Sequence, residues 1–482
     1  MKKIIISKLF LYKYRFIIGY VLLGAAFIGL LLVLPLVSQS GLTQAEMDSA
    51  VSSYALSYDA PMNGDLVDLP YRALQKVSIM LFGLTPYAIK LPSIIVGLML
   101  GVLLILLLNR WFKNNVSLLA SCLVILSTPF LFLAGNGTPL IMVVFWPTLL
   151  LWLGAKIQGE KRPKPSYCFL FAMALLAAIF TPYMTYFALF SVMFVLLQPH
   201  LRFIVKSLPK APLILTGVLV VGGMVLLGMN VVNHPDTLME LLFAKDYDIS
   251  NFMNNIIAGL TPAVSWRETP QSVFLAPLLS IPALALALIG LFSTTKGFFA
   301  SRNSIASVLL VFTLVITGFN PNAVIFFILP FAILMAHGIK YLLEKWYGLF
   351  PENPYARVAG ILPLAVLFGI MIVPSLLQYI HGYQYNPEVA SEFSTDLAII
   401  RKNLQNEVLV VNENYDFYKL LESSSDIKVV TELGDLTPER VAVLRATGGF
   451  GARSAKYQLA QIITSPRKEK SDIIYLYTEK GE

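Results

Sequence analysis

The sequence predicts an α-helical polytopic membrane protein of about 11 spans, with a small soluble α/β domain at its C-terminal end. Three observations lead there. Of 482 residues, 57% are hydrophobic and only 13% are charged, about half the charge of an ordinary soluble domain. Mean hydropathy is +0.71, and apolar runs long enough to cross about 30 Å of hydrocarbon recur along most of the chain. Beyond about Tyr383 those runs stop, and the composition becomes that of a water-soluble fold.

The candidate spans are 16–37, 91–109, 116–134, 139–155, 166–181, 183–199, 211–232, 272–293, 304–318, 322–339 and 358–380. The first is too long for a signal peptide and lacks a small-residue cleavage pattern. Loop charge sets the sidedness. Lys2, Lys3, Lys8, Lys13 and Arg15 precede the first span without an acid, so the N-terminus is expected in the cytoplasm. Every second loop is then basic, whereas 38–90, 233–271 and 381–482 have an acidic balance and are expected outside. The stretch 166–198 is too long for one untilted span and has Thr181-Pro182 at its middle. With basic loops on both sides, it reads as two short helices meeting at an outer turn; one kinked helix is the rival. No Asp, Glu, Lys or Arg lies within these spans, which argues against an ion-coupled transporter. His337 reads as structural and hydrogen-bonded, and Cys122 and Cys168 read as packing residues.

The first outer segment, 38–90, is too polar to span and too patterned for a linker. In Leu42-Thr43-Gln44-Ala45-Glu46, Thr43 reads as an N-cap and Glu46 as the third helical residue, a capping box. The helix should run to about Tyr58, with Met47, Ala50, Val51, Tyr54 and Ala55 as its apolar stripe. A second amphipathic helix over about 69–82 should end at Gly83. Lying along the outer membrane surface, the pair would roof a cavity formed by the spans.

These residues also carry a family likeness. Residues 41–101 resemble the first outer loop and following span of GT-C integral-membrane glycosyltransferases, nearest to the protein O-mannosyltransferase and aminoarabinose-transferase group. Leu42, Thr43 and Glu46 match that group's helix start. Asp68-Leu69-Pro70-Tyr71 stands where the group has an acid-Lys-Pro-Pro-x-Tyr stretch, followed by Phe82-Gly83 and by Lys90-Leu91-Pro92-Ser93 for Arg-Leu-Pro-Ser. A weaker echo lies at 350–357. The resemblance implies the GT-C fold and a sugar donor linked to a polyprenyl phosphate. It also implies transfer to an extracytoplasmic lipid, glycan or protein acceptor, and a first-loop carboxylate acting on that acceptor. Elementary chemistry agrees: an attacking hydroxyl must give up a proton, and a phosphate leaving group needs cationic or metal stabilisation. The chain also departs from the pattern. Ala45 precedes Glu46 where an Asp-Glu pair is usual, Leu69 replaces a lysine, Tyr71 replaces the second proline, and Gly135-Asn136-Gly137-Thr138-Pro139 carries no acid.

Glu46 is the candidate catalytic base, with helix capping as its alternative role. Asp68 is the second catalytic candidate, for the sugar or a divalent cation, against the alternative of a helix-start acid before Pro70. Asp48 reads as a surface acid that offsets the helix dipole. Among the outer cations, Arg72 and Lys90 are candidates for the donor phosphate, while Lys76 reads as snorkelling toward headgroups. The outer loop 233–271 adds Lys245 and Arg267 as phosphate candidates, with short helices expected at 238–243 and 252–260. The histidines lack metal-ligand spacing, and no Gly-rich nucleotide loop follows a strand; a divalent cation is the one cofactor left open.

The C-terminal segment should be an α/β domain with strands at 407–412, 428–431 and 472–478. Helices are expected at about 388–404, 414–422, 437–447 and 454–464. The chain thus reads as a transmembrane glycosyltransferase-like domain, 1–380, of a bacterial-type inner (plasma) membrane, followed by an extracytoplasmic domain, 381–482. The competing function is a non-catalytic membrane protein: a flippase-like lipid-glycan transporter or an inactive GT-C relative. The net charge of +8 divides into +16 inside and −8 outside by this segmentation. It is an orientation signal, and the expected partners are the bilayer, the lipid-linked sugar and the acceptor, with no nucleic acid.

Overall fold

In hydrocarbon every backbone N–H and C=O must find its partner within the chain, so the apolar runs become helices. The computed structural model describes residues 10–37, 41–56, 66–159, 164–207, 210–242, 251–264, 278–295, 301–350, 352, 354–385, 392–404, 406–433, 436, 438–444, 456–464 and 473–480. The helices are α1 (Phe10–Val37), α2 (Gln44–Tyr54), α3 (Leu69–Phe82), α4 (Pro86–Trp111), α5 (Asn114–Ile125), α6 (Thr128–Gly135), α7 (Met142–Gly159), α8 (Pro165–Ala178) and α9 (Met184–Leu197). There follow α10 (Pro199–Ser207), α11 (Lys210–Asn233), α12 (Pro235–Leu241), α13 (Phe252–Val264), α14 (Ile281–Thr295), α15 (Ser301–Phe319), α16 (Ile328–Leu349), α17 (Pro354–Ala359) and α18 (Ile361–Tyr385).

Among the described residues, 7 helical stretches are long and apolar enough to cross a bilayer, in α1, α4, α7, α11, α15, α16 and α18. Two bent pairs, α5 with α6 at 63° and α9 with α10 at 97°, bring the number to 9 if each pair is one span. The remaining two expected spans fall on α8 and α14, which are apolar but shorter. Helix length therefore supports 7 to 9 crossings, fewer than the expected count of about 11. The stretch 166–198 is two helices, α8 and α9, separated by a turn in which Tyr183 is left-handed (φ 65°).

Hydrogen bonds sort the helix ends into two groups. At one end, the Asp68 N–H donates to the Phe180 carbonyl (2.7 Å) and the Tyr183 N–H to the Leu241 carbonyl (3.3 Å). There too Leu42 and Ser394 form a two-way antiparallel bridge, at 2.7 and 2.8 Å. At the other end, Arg302 donates to the Trp111 carbonyl (2.9 Å) and Gln198 to Ser304 (3.0 Å). The first loop, the α8–α9 turn, α12 and the C-terminal segment thus share one end of the bundle.

The two amphipathic helices form as their caps dictate. α2 begins at Thr43 with a complete capping box, and α3 ends at Gly83, whose φ of 70° suits a residue without a Cβ. α2 closes at Tyr54, short of the expected Tyr58, which lies outside the described residues. α2 covers a hydrophobic core. Leu42, Met47, Ala50, Ile79, Leu84 and Ile89 pack in one cluster with Leu397, Ile400, Phe417 and Ile474 of the C-terminal segment. Gln44 and Asn414 exchange side-chain hydrogen bonds (2.8 and 2.9 Å), and Arg401 donates to the Leu84 carbonyl (2.9 Å). Gly41 is required at this seam, because a Cβ there would overlap the Ser394 carbonyl.

The C-terminal segment holds a five-stranded sheet in the order β2-β1-β3-β5-β4. Its strands are β1 (Val408–Val410), β2 (Lys428–Val430), β3 (Arg440–Leu444), β4 (Tyr457–Thr464) and β5 (Ile473–Glu479). β1 pairs in parallel with β2 and β3, while β5 pairs antiparallel with β3 and β4. β3 and β4 replace the helices expected at 437–447 and 454–464. Val441 to Leu444 are all buried, and a short continuous apolar run suits a central strand as well as a helix; pairing decides between them. His337 is also a correction: it is buried with its ring edge-on to Phe112 at 4.8 Å. Its Nε2 has no hydrogen-bond partner among the described residues, so aromatic packing replaces the expected hydrogen bond.

Single cysteines at Asp48 and Ser423, both exposed at the shared end, should react with a membrane-impermeant maleimide from the same side of sealed vesicles. One at Lys164 should react only from the other side. Labelling of all three from one side would overturn this arrangement.

Candidate active site

The capping box of α2 consumes half of the Glu46 carboxylate. Oε2 accepts from the Thr43 N–H (2.8 Å), while the Thr43 hydroxyl accepts from the Glu46 N–H (3.3 Å). The other oxygen points into the protein, where Oε1 accepts from the Gly137 N–H (2.6 Å) and lies 3.7 Å from the Lys90 ammonium. Glu46 is 0% exposed and Lys90 only 3%. Lys90 also donates to the Gly41 carbonyl (2.9 Å) and stands 5.5 Å from the centre of the Phe393 ring. A buried ion pair is tolerated when further hydrogen bonds complete both partners, as they do here. Gly137 must be glycine for this approach: a Cβ would come within 2.9 Å of Ile89 Cγ2 and 3.0 Å of its carbonyl.

Gln75 on α3 extends the frame. Its carbonyl accepts from Ser49 (2.9 Å) and Ser53 (2.6 Å) of α2, and its amide donates to the carbonyls of Ile89 (3.0 Å) and Gly137 (2.9 Å). One turn back, the Tyr71 hydroxyl pairs with Ser93 (2.7 Å), which donates to the Thr138 carbonyl at 3.3 Å. Burial pushes the Tyr71 phenol far above its ordinary value of 10.0, and the nearby charges of Glu46 and Asp68 push the same way. Tyr71 is therefore a neutral hydroxyl at any physiological pH.

Asp68 stands at the start of α3 in a left-handed conformation (φ 55°, ψ 26°) and makes no side-chain cap. It is 8% exposed. Tyr183, 4% exposed, is also left-handed and packs edge-on against Phe326 at 5.4 Å. Such a conformation costs a bulky residue about 1–3 kcal/mol and persists only where its surroundings enforce it. Both residues occur where the first loop, the α8–α9 turn and α12 are tied together.

The sequence candidates therefore separate. Glu46 and Lys90 meet, but as an internal pair whose polar atoms face protein. Asp68 and Arg72 share one turn of α3, with the Arg72 N–H donating to the Asp68 carbonyl (3.0 Å); Arg72 is half-buried. Lys76 donates to the Leu56 carbonyl and lies 6.0 Å from the Tyr54 ring, so it folds back instead of snorkelling. Lys245 and Arg267 lie outside the described residues. Sequence reasoning missed Gln75 and the Tyr71–Ser93 pair; the signal available was a polar side chain on the face of α3 opposite Leu74 and Val77. Among the described residues no three His, Cys, Asp or Glu side chains gather as a metal site would require. The Glu46 carboxylate already carries an ammonium and two N–H donors, a set that does not fit a divalent-cation ligand.

Below this frame, α5, α6, α14, α16 and α18 enclose a cavity of about 380 Å³. Its wall is mostly apolar, with Ser127, Ser280, Ser375 and Gln378 as polar points. Beside it, the α5–α6 bend is pinned to α18 by Thr128, whose N–H donates to the Ser375 hydroxyl (2.7 Å).

A helical bundle of this kind, with a capped first-loop helix, a polar frame and a C-terminal sheet at one end, is a fold that can be compared with those of known proteins. No family model matches the chain, and no curated protein matches it. Solved structures do. ArnT from Cupriavidus metallidurans bound to undecaprenyl phosphate aligns with a TM-score of 0.54 at 13% identity, over 96% of this chain and 98% of that one. The Archaeoglobus fulgidus oligosaccharyltransferase tethered to an acceptor peptide aligns with a TM-score of 0.55 at 10% identity, over 98% and 75%. AglB from the same organism, with an inhibitory peptide and a dolichol-phosphate, gives 0.53 at 12%, over 97% and 74%. At these identities the likeness is one of fold.

Replacing Glu46 by Gln or Lys90 by Met leaves the other charge buried and unpaired. Each change should lower the stability of the detergent-solubilised protein by about 3 kcal/mol, and the double variant should lose at least about 1 kcal/mol less than the sum. Thermal unfolding of the four proteins measures the coupling; strict additivity would dissolve the pair. A second test uses Tyr71. Above pH 10 the unfolded chain sheds phenol protons that folded Tyr71 keeps, so stability should fall by up to about 1.4 kcal/mol per pH unit. That alkaline loss should be smaller in Tyr71→Phe, as unfolding midpoints between pH 8 and 11 would register.

Proposed function

We propose that the protein is a membrane glycosyltransferase that moves a sugar from a polyprenyl-phosphate donor to an extracytoplasmic lipid, glycan or protein acceptor. Residues 1–380 form the transferase and 381–482 an outer domain that braces its first loop, in the inner (plasma) membrane with the N-terminus cytoplasmic. The observation that carries this reading is Asp68: a nearly buried carboxylate, held left-handed, where the first loop is tied to the α8–α9 turn and, through it, to α12. Strained backbone of this kind is a recurrent feature of reacting sites. The full-length likeness to structures holding undecaprenyl phosphate and dolichol-phosphate supports the donor class.

The roles follow from chemistry. As the acceptor oxygen attacks the anomeric carbon, its proton passes to the Asp68 carboxylate, and the carbon–oxygen bond to the carrier phosphate breaks. Arg72, one turn along, meets the charge that develops on the departing phosphate; Lys245 and Arg267 of the second outer loop are the further cations proposed for it. Glu46, both of whose oxygens are engaged, positions the first loop. The apolar cavity between α5, α14, α16 and α18 suits the carrier's hydrocarbon tail, which a soluble enzyme could not shelter.

Purified protein should transfer sugar from at least one member of a panel of polyprenyl-phosphate sugars. Asp68→Asn should cut kcat at least 100-fold, about the worth of a general base. Glu46→Gln should lower activity together with thermal stability. Full turnover by Asp68→Asn would remove the base assignment, and transfer from no donor would favour a non-catalytic lipid-glycan transporter or an inactive relative.

A further inference from the structure

The turn between α6 and α7 lacks an acid, yet it is held more tightly than a connecting loop needs to be. Gly137 gives its N–H to Glu46 (2.6 Å) and its carbonyl to Gln75 (2.9 Å), and the Thr138 carbonyl accepts from Ser93 (3.3 Å). These bonds lie on the side of the turn that meets α2, α3 and α4. Asn136 (φ −87°, ψ 129°) and Thr138 (φ −118°, ψ 158°) flank Gly137 in extended conformation. A Cβ on Gly137 would point at Ile89 and Glu46. Alternate residues of an extended segment face opposite ways, so Asn136 and Thr138 share the face turned away from that frame. Both are more than nine-tenths buried, at 8% and 4% exposure. Asn136 Oδ1 and Thr138 Oγ1 have no hydrogen-bond partner among the described residues. Buried polar oxygens without partners are rare in folded proteins and mark places where something else supplies the bond.

We propose that the 136–138 turn is a sugar-recognition element, with Asn136 and Thr138 binding hydroxyl groups of the transferred sugar. This inference rests on the transferase reading above. The chemistry selects the ligand class. A carbonyl Oδ1 only accepts hydrogen bonds, so it rejects a phosphate oxygen, which has no hydrogen to give at neutral pH. Two neutral oxygens without a carboxylate make a poor cation site. A polyhydroxylated ring supplies donors to Oδ1 and both donor and acceptor to Oγ1. Tyr71, three residues beyond Asp68 on α3, bonds to Ser93, which in turn bonds to the Thr138 carbonyl. The base and the recognition turn are therefore mounted on one rigid frame, which avoids the ordering cost of a flexible loop.

The test compares binding of undecaprenyl phosphate with binding of its monohexosyl and monopentosyl derivatives to the full-length protein in nanodiscs. The wild type should bind one sugar-bearing carrier at least about tenfold more tightly than the bare carrier, the worth of two hydrogen bonds. Asn136→Leu combined with Thr138→Val should bring that ratio close to one while leaving affinity for the bare carrier within about twofold, which also reports correct folding. Thr138→Ser, which keeps the hydroxyl, should retain most of the preference. A double variant that still prefers the sugar-bearing carrier as strongly as the wild type overturns the inference, and so does a wild type with equal affinity for both carriers. A wild type that binds neither carrier overturns the transferase reading and this inference with it.

Discussion

A carboxylate cannot be withdrawn from water unless its charge and its lone pairs are met by other groups, and Glu46 shows how much structure that demand organises. Its three neighbours come from three separate stretches: Thr43 at the start of α2, Lys90 in α4, and Gly137 in the turn after α6. Lys90, itself desolvated, must spend its remaining donors, and it reaches Gly41, the residue beside the Leu42–Ser394 bridge. One buried charge thus joins the first outer loop, α4, the turn after α6 and the start of the C-terminal segment. Removing it would unpair groups in all of them, which is why the pair acts as a constraint on geometry more than as a source of net stability.

The same logic explains why the two ends of the bundle differ. At the end containing Trp111 and Arg302 the described contacts are few and the loops are short and basic. At the opposite end lie Glu46, Gln75, Tyr71 and Asp68, and the first three are satisfied by polar groups of α2, α4 and the turn after α6. At this end the backbone holds left-handed angles at Asp68 and Tyr183. Strain can be held there because three segments are cross-linked through main-chain hydrogen bonds, and a conformation that one loop would relax is locked by its neighbours. The helices below are apolar on both sides: their outward faces, such as Ile95, Met99 and Val102 of α4, remain exposed to lipid.

Much of this was legible in the residues. The capping box, the Gly83 stop, the break near Thr181-Pro182 and the helical runs all depend on interactions within a few residues, which is the range over which a sequence can be read directly. The readings that failed depended on longer range. β3 is an apolar run that would serve equally well in a helix, and only its pairing with β1 and β5 makes it a strand. Lys90 reads as an outer-surface cation because it flanks an apolar run; the acid that buries it lies 44 residues earlier in the chain.

Hydropathy, cap chemistry and loop charge are local quantities, and from them alone the chain reads as a polytopic helical membrane protein with a capped, amphipathic first loop and a C-terminal segment of water-soluble composition. That Glu46 is bound into the frame, and that Asp68 meets the α8–α9 turn, depends on folding. Glu46 meets Gly137 across 91 residues and Lys90 across the start of a spanning helix, contacts that no local pattern encodes. The sequence therefore names the candidates, and only burial in three dimensions shows that both oxygens of Glu46 are engaged, by groups from three separate stretches of the chain.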